Sequence, residues 1–239
     1  MIEVQGISKR FGNVQAVDAV SFTARDGQIT GLLGHNGAGK STTLRILSTV
    51  IAPDSGRAFV DGYDCVNAQL AVRNRLGVLP HGGGLYPHLT ARENIHYHAR
   101  LRGLSAEDTE KSLRDLIELL DMRDFIDRRA KGFSQGEKLK TALARALIHN
   151  PPNVILDEPT SGLDVTTVRS LRELLRGLRA RGCCVLFSSH VMQEVSALCD
   201  DIVIIARGRV VADGTPDALR AAMQTNDLEE AFMRAVGEA

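Results

Sequence analysis

Gly34-His35-Asn36-Gly37-Ala38-Gly39-Lys40-Ser41 has the spacing G-x-x-x-x-G-K-[ST]. It lies between an apolar run, Ile29 to Leu33, and a helix-like segment, Thr42-Thr43-Leu44-Arg45-Ile46-Leu47. Strand, glycine-rich loop and helix start, in that order, form the context in which this spacing cradles phosphate. Glycines let the backbone wrap the phosphates, while amide N–H groups and the helix N-terminus supply positive potential. Lys40 then reaches the terminal phosphates and Ser41 binds Mg²⁺. The candidate phosphate-binding residues are therefore Gly34, Asn36, Gly37, Ala38, Gly39, Lys40, Ser41 and Thr42, and the ligand is ATP or GTP. A glycine-rich turn with a surface lysine would not explain a serine placed directly after the lysine at a helix start.

On both sides of this loop, short apolar runs rich in Val, Ile and Leu recur at Val20 to Thr23, Leu76 to Leu79, Val154 to Leu156, Val185 to Phe187 and Ile202 to Ile205. They read as strands. Helical spacing separates several of them. Val165, Val168, Leu171, Leu175 and Leu178 place one apolar stripe on a helix from about Asp164 to Arg181. Buried strands alternating with helices predict an α/β fold with a mainly parallel sheet. One region, about Tyr86 to Phe133, has helical spacing throughout. Thr90 and Glu93 form a capping-box start, and Leu113, Leu116, Ile117 and Leu120 mark a second amphipathic helix. This predicts a helical subdomain, 86–133, inserted into a core of 1–85 and 134–239. The end of the chain, Asp213-Gly214-Thr215-Pro216 followed by Ala- and Leu-rich segments, reads as a hairpin leading into terminal helices.

Val154-Ile155-Leu156-Asp157-Glu158 is an apolar strand ending in two acids. Adjacent strand residues point to opposite sides, so the pair is expected to divide two tasks. Asp157 would support Mg²⁺, and Glu158 would face the γ-phosphate and polarise an attacking water.

The bulk numbers restrict the partners. Lys+Arg and Asp+Glu both number 29 in a chain of 239 residues, so no global basic field exists to hold nucleic acid, and none is expected as a partner. The apolar runs fall far short of the roughly 20 residues a membrane helix needs, and no secretory signal is visible. Both observations predict a cytoplasmic protein. Cys65, Cys183, Cys184 and Cys199 show neither metal-ligand spacing nor the density of a disulfide scaffold. Cys183 and Cys184, in an apolar β-branched run, read as small buried hydrophobes, and no function is assigned to the four.

Between the two phosphate-site motifs lies Phe133-Ser134-Gln135-Gly136-Glu137, followed by Lys140-Thr141-Ala142-Leu143-Ala144-Arg145-Ala146-Leu147. Together they resemble the signature motif and helix of ABC transporter ATPases, and the resemblance then covers nearly the whole chain. Phe11, in Lys9-Arg10-Phe11-Gly12, matches the aromatic on which adenine stacks. Ser161-Gly162-Leu163-Asp164 matches the D-loop, and His190, after Phe187-Ser188-Ser189, matches the switch histidine. Taken singly, Phe11 would read as core, Ser134 and Asp164 as helix caps, and His190 as structural. Their joint order favours the family.

The resemblance implies a P-loop NTPase core, an antiparallel N-terminal β-subdomain and the inserted helical subdomain. It implies ATP and Mg²⁺ as cofactors, and a second ATP-binding subunit packed head to tail. Ser134, Gly136 and Glu137 of one chain would then complete the γ-phosphate site of the other, with Asp164 at the junction, Glu158 activating water and His190 holding the γ-phosphate. It further implies a transmembrane permease as partner and a place on the inner face of the cell membrane. Two departures stand out. The family's glutamine after the strand Leu76 to Leu79 is replaced by His81, a poorer partner for hard Mg²⁺, followed by Gly82-Gly83-Gly84. The signature reads FSQGE rather than LSGGQ. That version, with Gly84 to Asn94, looks most like the sodium-efflux (NatA-like) and drug-export branches, which points to export. Two other classes stay open: an ABC-type ATPase acting on ribosomes or DNA, and a non-catalytic ATP-binding module.

Overall fold

The computed structural model describes residues 1–82 and 84–237. Gly83, part of the glycine run noted above, lies outside the described residues. The elements run in the order β1 (Ile2–Phe11), β2 (Val14–Ala24), β3 (Ile29–Leu33), α1 (Lys40–Leu47), β4 (Ser55–Val60), β5 (Tyr63–Asp64), α2 (Gln69–Arg75) and β6 (Leu76–Leu79). Then come α3 (Ala91–Leu101), α4 (Ala106–Leu119), α5 (Gln135–Leu147), β7 (Asn153–Asp157), α6 (Val165–Ala180) and β8 (Cys184–Ser189). The chain ends in α7 (Met192–Leu198), β9 (Asp201–Ala206), β10 (Arg209–Gly214), α8 (Pro216–Ala222) and α9 (Leu228–Val236).

Two sheets result. The smaller is antiparallel, in the order β2-β1-β4-β5, and the larger runs β10-β9-β3-β8-β7-β6. In the larger sheet β9, β3, β8, β7 and β6 are mutually parallel, and only β10 is antiparallel to its neighbour. Period-2 alternation divides the large sheet between two cores. Val154, Leu156, Val185, Phe187, Ile202 and Ile204 pack toward α3 to α7 and α9. Ile155, Cys184, Leu186, Val203 and Ile205 pack toward the small sheet and α1. Helix α1 thus lies between two sheets, so the phosphate loop that precedes it is fixed from both sides. Truncating a side chain such as Phe187, 1% exposed, would cost about 3–5 kcal/mol.

The helix-rich stretch begins at a Thr90/Glu93 capping box, with the Thr90 side chain accepting from the Glu93 N–H. Its Ile95, Leu113 and Phe125 join the same cluster as Val154 and Phe187. All four cysteines are buried, and burial raises the thiol of Cys184 to about 12.

Two local expectations need correction. Val165 is 87% exposed: it is the first residue of α6, and the buried stripe starts nearly two turns later, at Leu171. The last hairpin does not turn at Asp213-Gly214, which pair with Val203 and Ile202 as the end of β10. It turns at Arg207-Gly208, whose φ angles of 50° and 79° suit the two left-handed positions of a tight hairpin. Thr215 instead caps α8 through the Ala218 N–H.

Candidate functional site

The loop 34–39 leaves the sheet at Leu33 and enters α1 at Lys40, and its glycines are required by contact as well as by conformation. Gly39 has φ 108°, and a Cβ there would lie 2.5 Å from the Ala16 carbonyl oxygen. A Cβ at Gly34 would lie 2.3 Å from the Ile205 carbonyl oxygen. Such backbone clashes admit only glycine. The loop is also tied from outside: the Gly208 N–H donates to the Ala38 carbonyl at 2.9 Å, and the Gly208 carbonyl accepts from the Asp18 N–H at 2.8 Å. Lys40 is 4% exposed. Its ammonium donates to the Gly34 carbonyl at 2.6 Å and the His35 carbonyl at 3.3 Å, and lies 3.2 Å from Glu158 Oε1. A buried cation is tolerable because oxygens surround it.

Asp157, 8% exposed, ends β7. Its Oδ1 accepts from Ser188 Oγ at 2.7 Å and from Ser41 Oγ at 3.1 Å. Glu158 follows, but strand alternation does not separate the two acids as expected. The strand stops at Asp157, and Glu158 adopts a left-handed φ of 50°. That turn brings Glu158 Oε1 to Lys40 and Oε2 to within 2.8 Å of His190 Nδ1. The Glu158 N–H donates to Ser188 Oγ at 3.0 Å. One buried hydroxyl therefore holds both acidic residues.

These groups surround a cleft of about 510 Å³, lined by residues 35–42, Ala16, His81, Glu158, Ser161 and His190. Asn36 to Thr42, Glu158, His190 and His81 thus meet in one place, with Asp157 joined to it through Ser41; Gly34 does not line the cleft and contributes only its carbonyl to Lys40. Ser161 stood only within the D-loop resemblance, and Ala16 and Ser188 carried no expected role. Ser188 left one signal, the first of two hydroxyls that close an otherwise apolar strand.

Other expected residues do not line this cleft. Phe11 ends β1, 48% exposed, with Lys9 Nζ 5.9 Å from its ring centroid. Ser134 and Glu137 form a capping box at the start of α5, with Glu137 Oε2 accepting the Ser134 N–H at 2.8 Å. The second Glu137 oxygen meets Arg128 at 2.7 Å. Burial works against the charged carboxyl of Glu137, but the Ser134 amide and Arg128 hold it below the usual range. Asp164 caps α6, its carboxyl lowered by the Thr167 N–H that it accepts at 2.9 Å.

For Mg²⁺, the donor set fits. Ser41 and Asp157 offer two adjoining oxygens beside a phosphate cradle, and Mg²⁺ takes few protein ligands plus phosphates and water. Among the described residues no group of three His, Cys, Asp or Glu could hold a metal by itself.

A strand-loop-helix phosphate cradle with an acid pair facing its lysine, on a mainly parallel sheet with an antiparallel sheet beside it, defines an ATP-binding cassette. The ABC transporter family matches residues 17–161, and the chain belongs to it. It is an ATP-binding ATPase of that family. The chain is 42% identical to the ABC transporter ATP-binding protein NatA of Bacillus subtilis, over 98% of this chain and 97% of that protein. It is 38% identical to the Nod factor export ATP-binding protein I of Burkholderia lata, over 91% of this chain and 72% of that one. The solved ATP-binding subunit of an ABC transporter superposes with a TM-score of 0.91 at 30% identity, covering 98% of this chain and 99% of that chain. No helix among the described residues is long and apolar enough to cross a membrane.

Proposed function

We propose that this chain hydrolyses MgATP in a site shared between two copies and so drives a separate transmembrane permease in export. The observation that carries the reading is a separation. Lys40, Glu158 and His190 meet in the phosphate cleft, whereas Ser134, Gly136 and Asp164 do not line it. A second subunit packed head to tail would bring its Ser134 and Gly136 to the open side of the cleft, with Asp164 at the junction. Glu137 then acts by capping α5 rather than by touching nucleotide, and Phe11 stacks on adenine at the rim. The division into a core, 1–85 and 134–239, and a helical insert, 86–133, puts the signature helix at the start of the second core segment.

In this scheme Lys40 exchanges its carbonyl partners for phosphate oxygens and neutralises charge that builds in the transition state. Glu158 takes the proton of the attacking water, a role worth typically 10²–10⁴-fold, and His190 holds the γ-phosphate and the Glu158 carboxylate. Ser41 and Asp157 would hold Mg²⁺, which would supply further charge neutralisation on the phosphates. His81, on the same cleft wall, would sense the metal through water. Export, of Na⁺ or of a drug, is supported by the FSQGE signature and by the export named in the Nod factor relative; an inner-membrane-face location follows from the permease partnership.

The experiment is a pair of measurements. Glu158→Gln is expected to accumulate as an ATP-bound dimer by size exclusion with turnover reduced at least 100-fold. Wild-type turnover per molecule is expected to fall on dilution. Equal turnover by mutant and wild type refutes the role of Glu158, and a rate independent of protein concentration down to a proven monomer refutes the shared site.

A further inference from the structure

The contact between Glu158 and His190 spans two loops, one following β7 and one following β8, and closes at 2.8 Å. One partner sits at φ 50°; the other is an imidazole 46% exposed. A left-handed non-glycine residue persists only where its surroundings over-determine it. Ser188 is one restraint. The second is Glu194, in the first turn of α7, 9% exposed and outside the cleft lining. Its Oε2 accepts from Thr160 Oγ1 at 2.5 Å and from Ser189 Oγ at 3.1 Å. Ser189 Oγ accepts the Val191 N–H at 3.0 Å, which leaves its own proton for Glu194. Thr160 stands two residues after Glu158, and Ser189 immediately precedes His190. One carboxylate oxygen therefore joins the two loops that carry the pair.

We propose that Glu194 is a positioning residue for hydrolysis, holding Glu158 and His190 in register through Thr160 and Ser189. This rests on the reading of Glu158 and His190 as the hydrolytic pair. A helix-capping or dipole role would direct the carboxylate to the N-terminal amides of α7. Both hydrogen bonds leave the helix instead, to a hydroxyl on the loop after β7 and one on the last residue of β8, and a charged acceptor makes each of them strong. A displacement of about 1 Å in a catalytic group costs about 100-fold in rate, so loosening this tie lowers turnover while the phosphate loop, which Glu194 does not touch, keeps its hold on ATP.

The test measures kcat, KM and ATP affinity of the full-length chain at dimerising concentration for Glu194→Ala, Glu194→Gln, Thr160→Val and the Glu194→Ala/Thr160→Val double variant, beside Glu158→Gln. Glu194→Ala is expected to lose about 10- to 100-fold in kcat, with KM and ATP affinity within about 2-fold of wild type. Glu194→Gln is expected to recover most of the rate, because its amide oxygen can still accept two hydroxyls. The double variant should be no slower than Glu194→Ala alone, as befits one shared interaction. Wild-type kcat in Glu194→Ala, equal losses in the Ala and Gln variants, or a parallel loss of ATP affinity overturns the proposal. If Glu194→Ala does not fold, Thr160→Val carries the same split of kcat from KM. An active Glu158→Gln would refute the hydrolytic pair itself. An inactive Glu158→Gln beside fully active Glu194 variants removes only the role of Glu194.

Discussion

Replacing Ser188 by alanine removes one oxygen and breaks two contacts at once. The hydroxyl is fully buried, donates to Asp157 Oδ1 at 2.7 Å and accepts the Glu158 N–H at 3.0 Å. A hydrogen bond to a charged group contributes about 1.5–3 kcal/mol, and a buried N–H left without an acceptor costs about 1–3 kcal/mol. Asp157 keeps Ser41 as a donor, and Glu158 can relax its left-handed φ, so the total falls to about 2–4 kcal/mol. For a chain of this size each kcal/mol moves the melting temperature by about 2–4 °C. Ser188→Ala is therefore expected to melt roughly 5–15 °C below wild type by calorimetry and to lose turnover, since both acids are freed together. Ser188→Thr, which keeps the hydroxyl, tests for mere crowding in the strand. A Ser188→Ala protein melting within a degree of wild type would mean that the two contacts carry no net energy, and the account of how Glu158 is held would fail.

Two further outcomes follow from single features. Gly39→Ala places a methyl 2.5 Å from the Ala16 carbonyl oxygen at φ 108°; strain of about 1–3 kcal/mol in the phosphate-ready loop should weaken ATP binding roughly 10- to 100-fold by equilibrium titration, and an unchanged affinity would show that the loop does not need this conformation. His98 and His149 are both pushed down to about 4, by burial first and then by Arg145 and Arg102 for His98 and by Arg102 for His149. Both titrate at the ordinary, higher value when unfolded, so the stability they contribute is full above about pH 6.5 and is lost as pH falls toward 4. Urea unfolding at pH 5 should give a free energy about 2 kcal/mol below that at pH 8, after discounting for partial exposure of the rings. The His98→Gln/His149→Gln double variant should flatten that dependence, and an equally steep loss in it would assign the acid sensitivity elsewhere.

What sequence reveals depends on whether a feature is written in backbone requirements or in distant contacts. The loop 34–41 was legible because each glycine is fixed by conformation or contact and Lys40 by charge. The caps at Thr90, Ser134 and Asp164 were legible because N-cap bonds close within three residues. Strand β1 was not read individually: Gly6 has φ 60°, and the register shifts between Val4 and Ile7, so the period-2 signal is broken inside the strand. The true turn at Arg207-Gly208 was missed because Asp213-Gly214 is the stronger turn dipeptide, yet it continues a strand. Glu194 left no trace in spacing, since its partners Thr160 and Ser189 meet it only through the tertiary fold. The left-handed turn at Glu158 was likewise invisible, and with it the convergence of both acids on one hydroxyl.

Hairpin tips are ordinarily the places where a chain tolerates added length, because little depends on them. The tip at Arg207-Gly208 is an exception, since Gly208 bonds both to Ala38 in the phosphate loop and to Asp18 in β2. An extra residue there would detach the floor of the nucleotide cleft from two separate sheets. The length of this connection is thus set at two residues by a cleft whose sequence lies some 170 positions upstream.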